Sequence, residues 1–288
     1  MADRASIPPF VYKVISGRKL DALRSRAGLT QEHVAKHLGC AQSKIANIES
    51  GLSNAHPDDL AELLNLYDAD PATRQECEDL VRSGRKRAPR NALRSRFEGE
   101  MQQVVDMEAS ANVIWARSAM IIPGLLQIEA YMRYVFRAYR PSLTQEQIDR
   151  YTENRLARQE VLGNLHQRFW FNIDEAALRR MANMDGGSEI MRQQIEHLIS
   201  MIDRPNIEIQ AVPFETGYYM GQDINYRIFG YETDPPAQLV YVEQYDGGNV
   251  LHDGKSVHRF LSLWDHQKAV GLGPDQTRAF FARVASSL

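Results

Sequence analysis

Five glycine and proline stops divide the first third of the chain into short helical runs, and no other feature constrains the fold as much. Leu20, Leu23 and Ala27 recur at helical spacing from Gly17, and Gly28 ends that run. Thr30 is placed to cap a second helix whose inner face is Val34, Ala35 and Leu38. Gly39 then supplies the left-handed residue that stops it. A third helix runs from about Gln42 to Ser50, with Ile45 and Ile48 inward and Gly51 closing it. Pro57 starts a fourth, with Leu60, Leu63, Leu64 and Tyr67 on one face, and Pro71 starts a fifth that reaches about Ser83.

The second and third of these helices have the pattern needed to read duplex DNA. One helix braces across the phosphate backbone, a tight turn follows, and the next enters the major groove with its N-terminal side chains at the base edges. That geometry requires a small residue where the helices approach, a glycine at the turn and polar side chains on the outer face of the second helix. Ala35, Gly39 and the outward set Gln42, Ser43, Lys44 and Asn47 meet these needs between Thr30 and Ser50. Taken singly, each polar residue reads equally well as a solvated helix face. Gln or Asn can pair bidentately with adenine, and Lys44 can contact guanine or a phosphate.

Charge is distributed in agreement with this reading. Met1 to Gly99 carry 16 Lys and Arg against 13 Asp and Glu, whereas the remainder carries 18 against 24. A basic first part joined to an acidic second part points to a polyanion met only by the first. No apolar run approaches the roughly 20 residues that span a bilayer, and the first residues lack the apolar core of a secretory signal. The two cysteines, Cys40 and Cys77, have no ligand-like spacing and suit a reducing compartment. These features together predict a cytoplasmic protein without a membrane partner.

From Gly84 to Phe97 the chain is dense in arginine. This stretch reads as an interdomain linker, either simply solvated or following the phosphate backbone through Arg85, Lys86, Arg87 and Arg90. The division expected is residues 1–83 for DNA, 84–97 as linker and 98–288 as a second domain. In that second part, helical stretches at about 98–110, 127–139, 144–163 and 187–203 precede short β-like runs at Phe169 to Ile173, Ile207 to Val212, Tyr226 to Tyr231 and Leu239 to Val242. Two further helices, about 254–270 and 274–286, close the chain. An α+β second domain is expected. Gly247-Gly248 reads as a hairpin turn.

Two resemblances add to this. Arg24 to Gly51, RSRAGLTQEHVAKHLGCAQSKIANIESG, resembles the signature of XRE-type repressors, which implies a phage-repressor-like helix-turn-helix. In that family the glutamine matching Gln31 touches a phosphate, the positions matching Gln42, Ser43 and Asn47 reach bases, and the one matching Lys44 lies near a phosphate. The arginine and glutamate matching Arg24 and Glu49 form a structural ion pair. This chain departs from many relatives in having Ala41 where Ser or Thr caps the recognition helix. The segments Ile122-Pro-Gly-Leu-Leu-Gln127 with Tyr131, Arg155-Leu-Ala-Arg-Gln159, Asp174-Glu-Ala-Ala-Leu178, Gln194-Ile-Glu-His-Leu198, Val212-Pro-Phe214 and Tyr241-Val-Glu243 resemble the C-terminal domain of actinomycete regulators of the WhiJ type. Such regulators are often encoded beside a very small acidic partner protein, and some pairs are described as antitoxin-like. The resemblance therefore implies a dimeric transcriptional regulator, with an antitoxin-like interaction module as the alternative.

Enzymatic readings find little support. Asp174 and Glu175 are adjacent carboxylates that suit a helix start better than acid-base work. His33 and His37 lie four apart, yet the residue after His33 is not a glutamate, and the His252, His258 and His266 stretch lacks ligand spacing. No catalytic, cofactor or metal site is expected. The aromatic segment Pro213 to Tyr231 has two readings, as a pocket or partner surface and as a long loop whose tyrosines pack on the sheet.

Overall fold

The computed structural model describes residues 7–87, 92–181, 186–245 and 247–288. Its first part is helical: α1 (Pro9–Arg26), α2 (Gln31–His37), α3 (Gln42–Glu49), α4 (Pro57–Leu66) and α5 (Pro71–Gly84). Local chemistry explains the boundaries. Thr30 accepts a hydrogen bond from the His33 amide, and Asp70 accepts from Ala72 and Thr73, so α2 and α5 are capped at their N-termini. Gly39 has a φ of 62°, which lets the chain turn between α2 and α3 without Cβ strain. Leu20, Leu23, Val34, Ala35, Ile45, Ile48, Leu63 and Leu64 form one apolar core, with Cys77 and Val81 contributed by α5.

The first helix starts eight residues before the expected Gly17. Its early half carries Val11, Val14 and Ile15, which belong to a different core, that of the C-terminal part. The helix thus has two apolar faces serving two partners, and the periodicity around Leu20 and Leu23 reveals only one of them.

The C-terminal part is built on a six-stranded mixed sheet of β1 (Val113–Ser118), β2 (Arg168–Asp174), β3 (Ile207–Val212), β4 (Tyr226–Tyr231), β5 (Ala237–Gln244) and β6 (Gly247–Leu251), in the order β3-β2-β1-β4-β5-β6. β1, β2 and β3 run parallel, and β4, β5 and β6 add on antiparallel. Alternation divides the side chains between two faces. Ile114, Phe169, Phe171, Ile207, Ile209 and Phe229 point to one side, where α6 (Glu100–Ser110), α10 (Gly187–Ile202) and α12 (Pro274–Ser286) cover them. Trp115, Trp170, Tyr226, Ile228 and Val240 point to the other, beneath α11 (Gly254–Val270). The remaining helices are α7 (Glu129–Tyr139), α8 (Gln145–Gln159) and the short α9 (Glu175–Arg179). This is the all-α plus α+β architecture expected.

Three local expectations need correction or addition. Gly247 and Gly248 are not the hairpin turn but the start of β6, because Gly248 lies under the Tyr241 ring, where a Cβ would stand 2.5 Å from the ring carbon Cζ. β1, the parallel partner of β2, is absent from the expected strands; its Arg117 is 1% exposed and breaks the apolar pattern of a central strand. The described residues of the arginine-rich stretch are mostly exposed, and two of its arginines are anchored: Arg85 donates to the Ala55 carbonyl at 2.7 Å, and Arg94 pairs with buried Asp106 at 2.7 Å. Arg90, also named in that stretch, lies outside the described residues.

The two parts touch through α1. Arg18 donates to the Gln238 carbonyl at 3.0 Å and to its side-chain oxygen at 3.1 Å, both on β5. His252 Nδ1 lies 2.6 Å from the carbonyl of Ser50, the residue after α3. Among the described residues, no helix is long and apolar enough to cross a membrane.

Candidate nucleic-acid interface

The α3 helix is held from behind and open in front. Ile45 and Ile48 are buried in the helical core, whereas Gln42, Ser43, Lys44 and Asn47 are all exposed. Its C-terminal end is pressed against α1 at backbone contact. A Cβ at Gly17 would stand 2.4 Å from the Ile48 carbonyl oxygen and 2.6 Å from that of Glu49, so only glycine permits this crossing. The helix begins at Ala41 in extended conformation with no side-chain cap, leaving its first amides without a local side-chain acceptor.

A chain of polar contacts joins the buried side of this unit to its outer face. Glu49, 7% exposed, accepts from Arg24 Nε at 2.6 Å and from Arg24 Nη2 at 3.0 Å. Arg24 also donates to the Leu29 carbonyl at 2.7 Å and pairs with Asp21. The hydrogen bond to Glu49, opposed by desolvation, holds the guanidinium pKa above its ordinary value. The second oxygen of Glu49 accepts from Gln31 Nε2 at 2.7 Å. The Gln31 oxygen in turn accepts from Gln42 Nε2 at 2.6 Å. Gln31 and Gln42, read in the sequence as separate contacts, are thus one hydrogen-bonded pair fixed to a buried carboxylate. Nothing in their spacing, eleven residues apart, announces this.

Lys44 is also partnered. Its Nζ lies 2.8 Å from Asp59 Oδ2 on α4, and that hydrogen bond raises the ammonium pKa above its usual value. The side chains of Ser43 and Asn47 bond to no other described residue, so their donors and acceptors face solvent. Tyr67 stands behind the Arg24–Glu49 pair with its hydroxyl buried, and burial pushes its pKa well up. Burial likewise pushes the Cys77 thiol up to about 11, which keeps it a neutral core side chain.

The adjacent carboxylates Asp174 and Glu175 have structural occupations. Asp174 caps α9 through the Ala176 amide at 3.0 Å and pairs with Arg117 at 3.1 Å. Glu175 accepts from the Phe214 amide at 2.9 Å and from Arg179 at 2.6 Å. Among the described residues no cluster of three His, Cys, Asp or Glu has metal-binding geometry. Of the aromatic segment, Tyr226 and Tyr231 are buried in the sheet, while Tyr218 is 96% exposed.

Two helices in this relation, with an open polar face on the second, define a DNA-binding regulator of the helix-turn-helix class, and residues 17–77 match a helix-turn-helix domain family. Residues 101–283, well over half of the chain, match the family described as a domain of unknown function, DUF5753, and the chain belongs to that family. No curated protein and no solved structure matches it.

Proposed function

We propose that this protein is a sequence-specific transcriptional regulator that binds its operator as a homodimer. The outer face of α3 carries the proposal: Gln42, Ser43 and Asn47 stand exposed on a helix immobilised from behind by Ile45, Ile48 and the Gly17 crossing. Gln42 and Asn47 are the base-reading residues in this proposal, with adenine as their natural bidentate partner. Ser43 adds an adaptable donor and acceptor. Gln31 and Lys44 contact phosphates, Gln31 while still anchored on Glu49 and Lys44 by exchanging Asp59 for the backbone. Arg24 and Glu49 do not touch DNA; they set the position of Gln31.

Residues 1–83 are assigned to DNA reading, 84–97 to the connection and 98–288 to dimerisation, partner binding or reception of a signal. On this reading the chain is a cytoplasmic XRE-family regulator of the WhiJ type, from an actinomycete. Two copies would read a near-palindromic site with half-sites about one helical turn apart. A gel-shift titration against DNA upstream of its own gene tests this directly. Tight binding there and weak binding to a scrambled duplex is the expected result; equal affinity for both would sink sequence-specific recognition.

A second reading has one observation in its favour. Phe214, Tyr218 and Met220, on the segment before β4, are large apolar side chains mostly exposed, and such a surface suits a protein partner. An antitoxin-like module holding a small acidic protein would use it. Co-expression with a small acidic protein, where one is encoded beside it, tests that reading: joint elution on size exclusion supports it, and separate elution removes it.

A further inference from the structure

Between α7, α8 and the sheet lies a cavity of about 870 Å³, within the size range of small-ligand sites. Its lining is unusually cationic. Arg155, Arg158 and Arg227 line its inner part, and Arg96, Arg140 and Arg150 stand at exposed positions around it. The lining contains two carboxylates, Glu98 and Glu243.

The inner arginines share too few counter-charges. Glu108, 1% exposed, serves two of them, Arg158 at 3.0 Å and Arg227 at 3.1 Å, and Arg227 also meets Glu243. Arg155 has no carboxylate within ion-pair distance among the described residues. Its Nη1 donates to the amide oxygen of Gln127 at 2.5 Å, and its guanidinium lies 4.5 Å from the Phe136 ring centroid. Burial, reinforced by the neighbouring charge of Arg158, pulls its pKa down to about 9. A partly buried cation without an anion is costly, and a bound anion removes that cost.

The shape agrees with the charge. At Gly124 a Cβ would stand 3.0 Å from Arg158 Nη2 and 3.6 Å from Arg155 Nε, so the glycine keeps both guanidinium groups unobstructed on that side. Phe136, Tyr151 and Tyr241 supply flat apolar wall beside them. Planar guanidinium groups bind phosphate and carboxylate through paired hydrogen bonds, and aromatic walls accept a ring.

We propose that this cavity binds a small organic anion, a planar ring bearing a phosphate or carboxylate, with Arg155 and Arg158 on the anionic group. The proposal deepens the signal-reception role assigned above to the C-terminal domain and rests on that part of it. The binding test contains no DNA, so its failure is distinct from a failure of operator recognition.

The test is isothermal titration of the full chain with adenosine 5′-monophosphate and with indole-3-carboxylate, against adenosine and indole as uncharged counterparts. One-to-one binding of either anion at up to millimolar concentration is expected, and which one binds identifies the anionic group. The uncharged rings should bind about tenfold more weakly or worse, as should either anion to Arg155→Gln, given the worth of one charge-assisted hydrogen bond. Arg150→Glu, on the exposed rim, is the second variant should Arg155→Gln not fold, and it should weaken binding severalfold. The proposal is overturned if neither anion binds, if the uncharged rings bind equally well, or if the folded variant binds as the wild type does.

Discussion

Replacing Glu49 by alanine removes the acceptor on which the polar chain behind α3 converges. Glu49 takes two hydrogen bonds from Arg24 and one from Gln31 while almost fully buried. Removing one partner of a buried ion pair costs about 3 to 5 kcal/mol, because the other charge is left uncompensated. Here Arg24 keeps the Leu29 carbonyl and Asp21, and its side chain retains 13% exposure, so the lower end of about 3 kcal/mol applies. Because α1 belongs to both cores, the loss should be felt by a unit larger than the five helices. The corresponding fall in Tm is about 6 to 12 °C, at about 2 to 4 °C per kcal/mol for a unit of that size. Circular dichroism at 222 nm during a thermal scan measures it. A variant melting within about 1 °C of the wild type would refute the reasoning, since a fall that small is well under 1 kcal/mol. A second arm separates charge from packing: Arg24→Met combined with Glu49→Leu should recover most of the loss, because an apolar pair leaves no buried charge. Even where Glu49→Ala stays folded, DNA affinity should fall, since Gln31 and Gln42 lose their fixed anchor.

Gln42→Ala and Asn47→Ala should each cost about 1 to 3 kcal/mol of operator affinity and relax preference at particular base pairs, read by fluorescence anisotropy on operator variants. Lys44→Ala should instead lower affinity evenly across sequences and reduce the salt slope of binding by about one. Asp59→Asn should act oppositely, strengthening binding at low salt, because it frees Lys44 from its 2.8 Å pair. Gly17→Ala should destabilise by about 1 to 3 kcal/mol, measured by urea unfolding, as its methyl group must push α1 off the end of α3. An unchanged unfolding midpoint would show that the crossing is looser than described.

The helix-turn-helix was legible in the sequence because its signals are local. Thr30, Gly39, Pro57 and Pro71 each act within a turn of their own position, and their helices begin or end where those residues require. Features that depend on distant partners were hidden. Val11, Val14 and Ile15 extend α1 only because the C-terminal core receives them. Arg117 obscures β1 because its counter-charge, Asp174, is 57 residues away. Gly248 reads as a turn until Tyr241 is placed above it. The arginine cavity was the least legible of all. Arg155 and Arg158 stood out only as part of a family resemblance, and Arg227 meets Glu108 across 119 positions. The Gln31–Gln42 contact was missed for a related reason, since each residue alone has the exposed polar character of any solvated helix face.

The central claim is that the outer face of α3 reads DNA sequence, and selection of binding sites from random duplexes tests it most directly. The full chain should enrich a near-palindromic motif with two half-sites about one helical turn apart. Repeating the selection with Gln42→Ala should enrich the same motif with preference lost at one symmetric pair of positions. Enrichment of no motif, or of an unchanged motif by both Gln42→Ala and Asn47→Ala, would contradict the account.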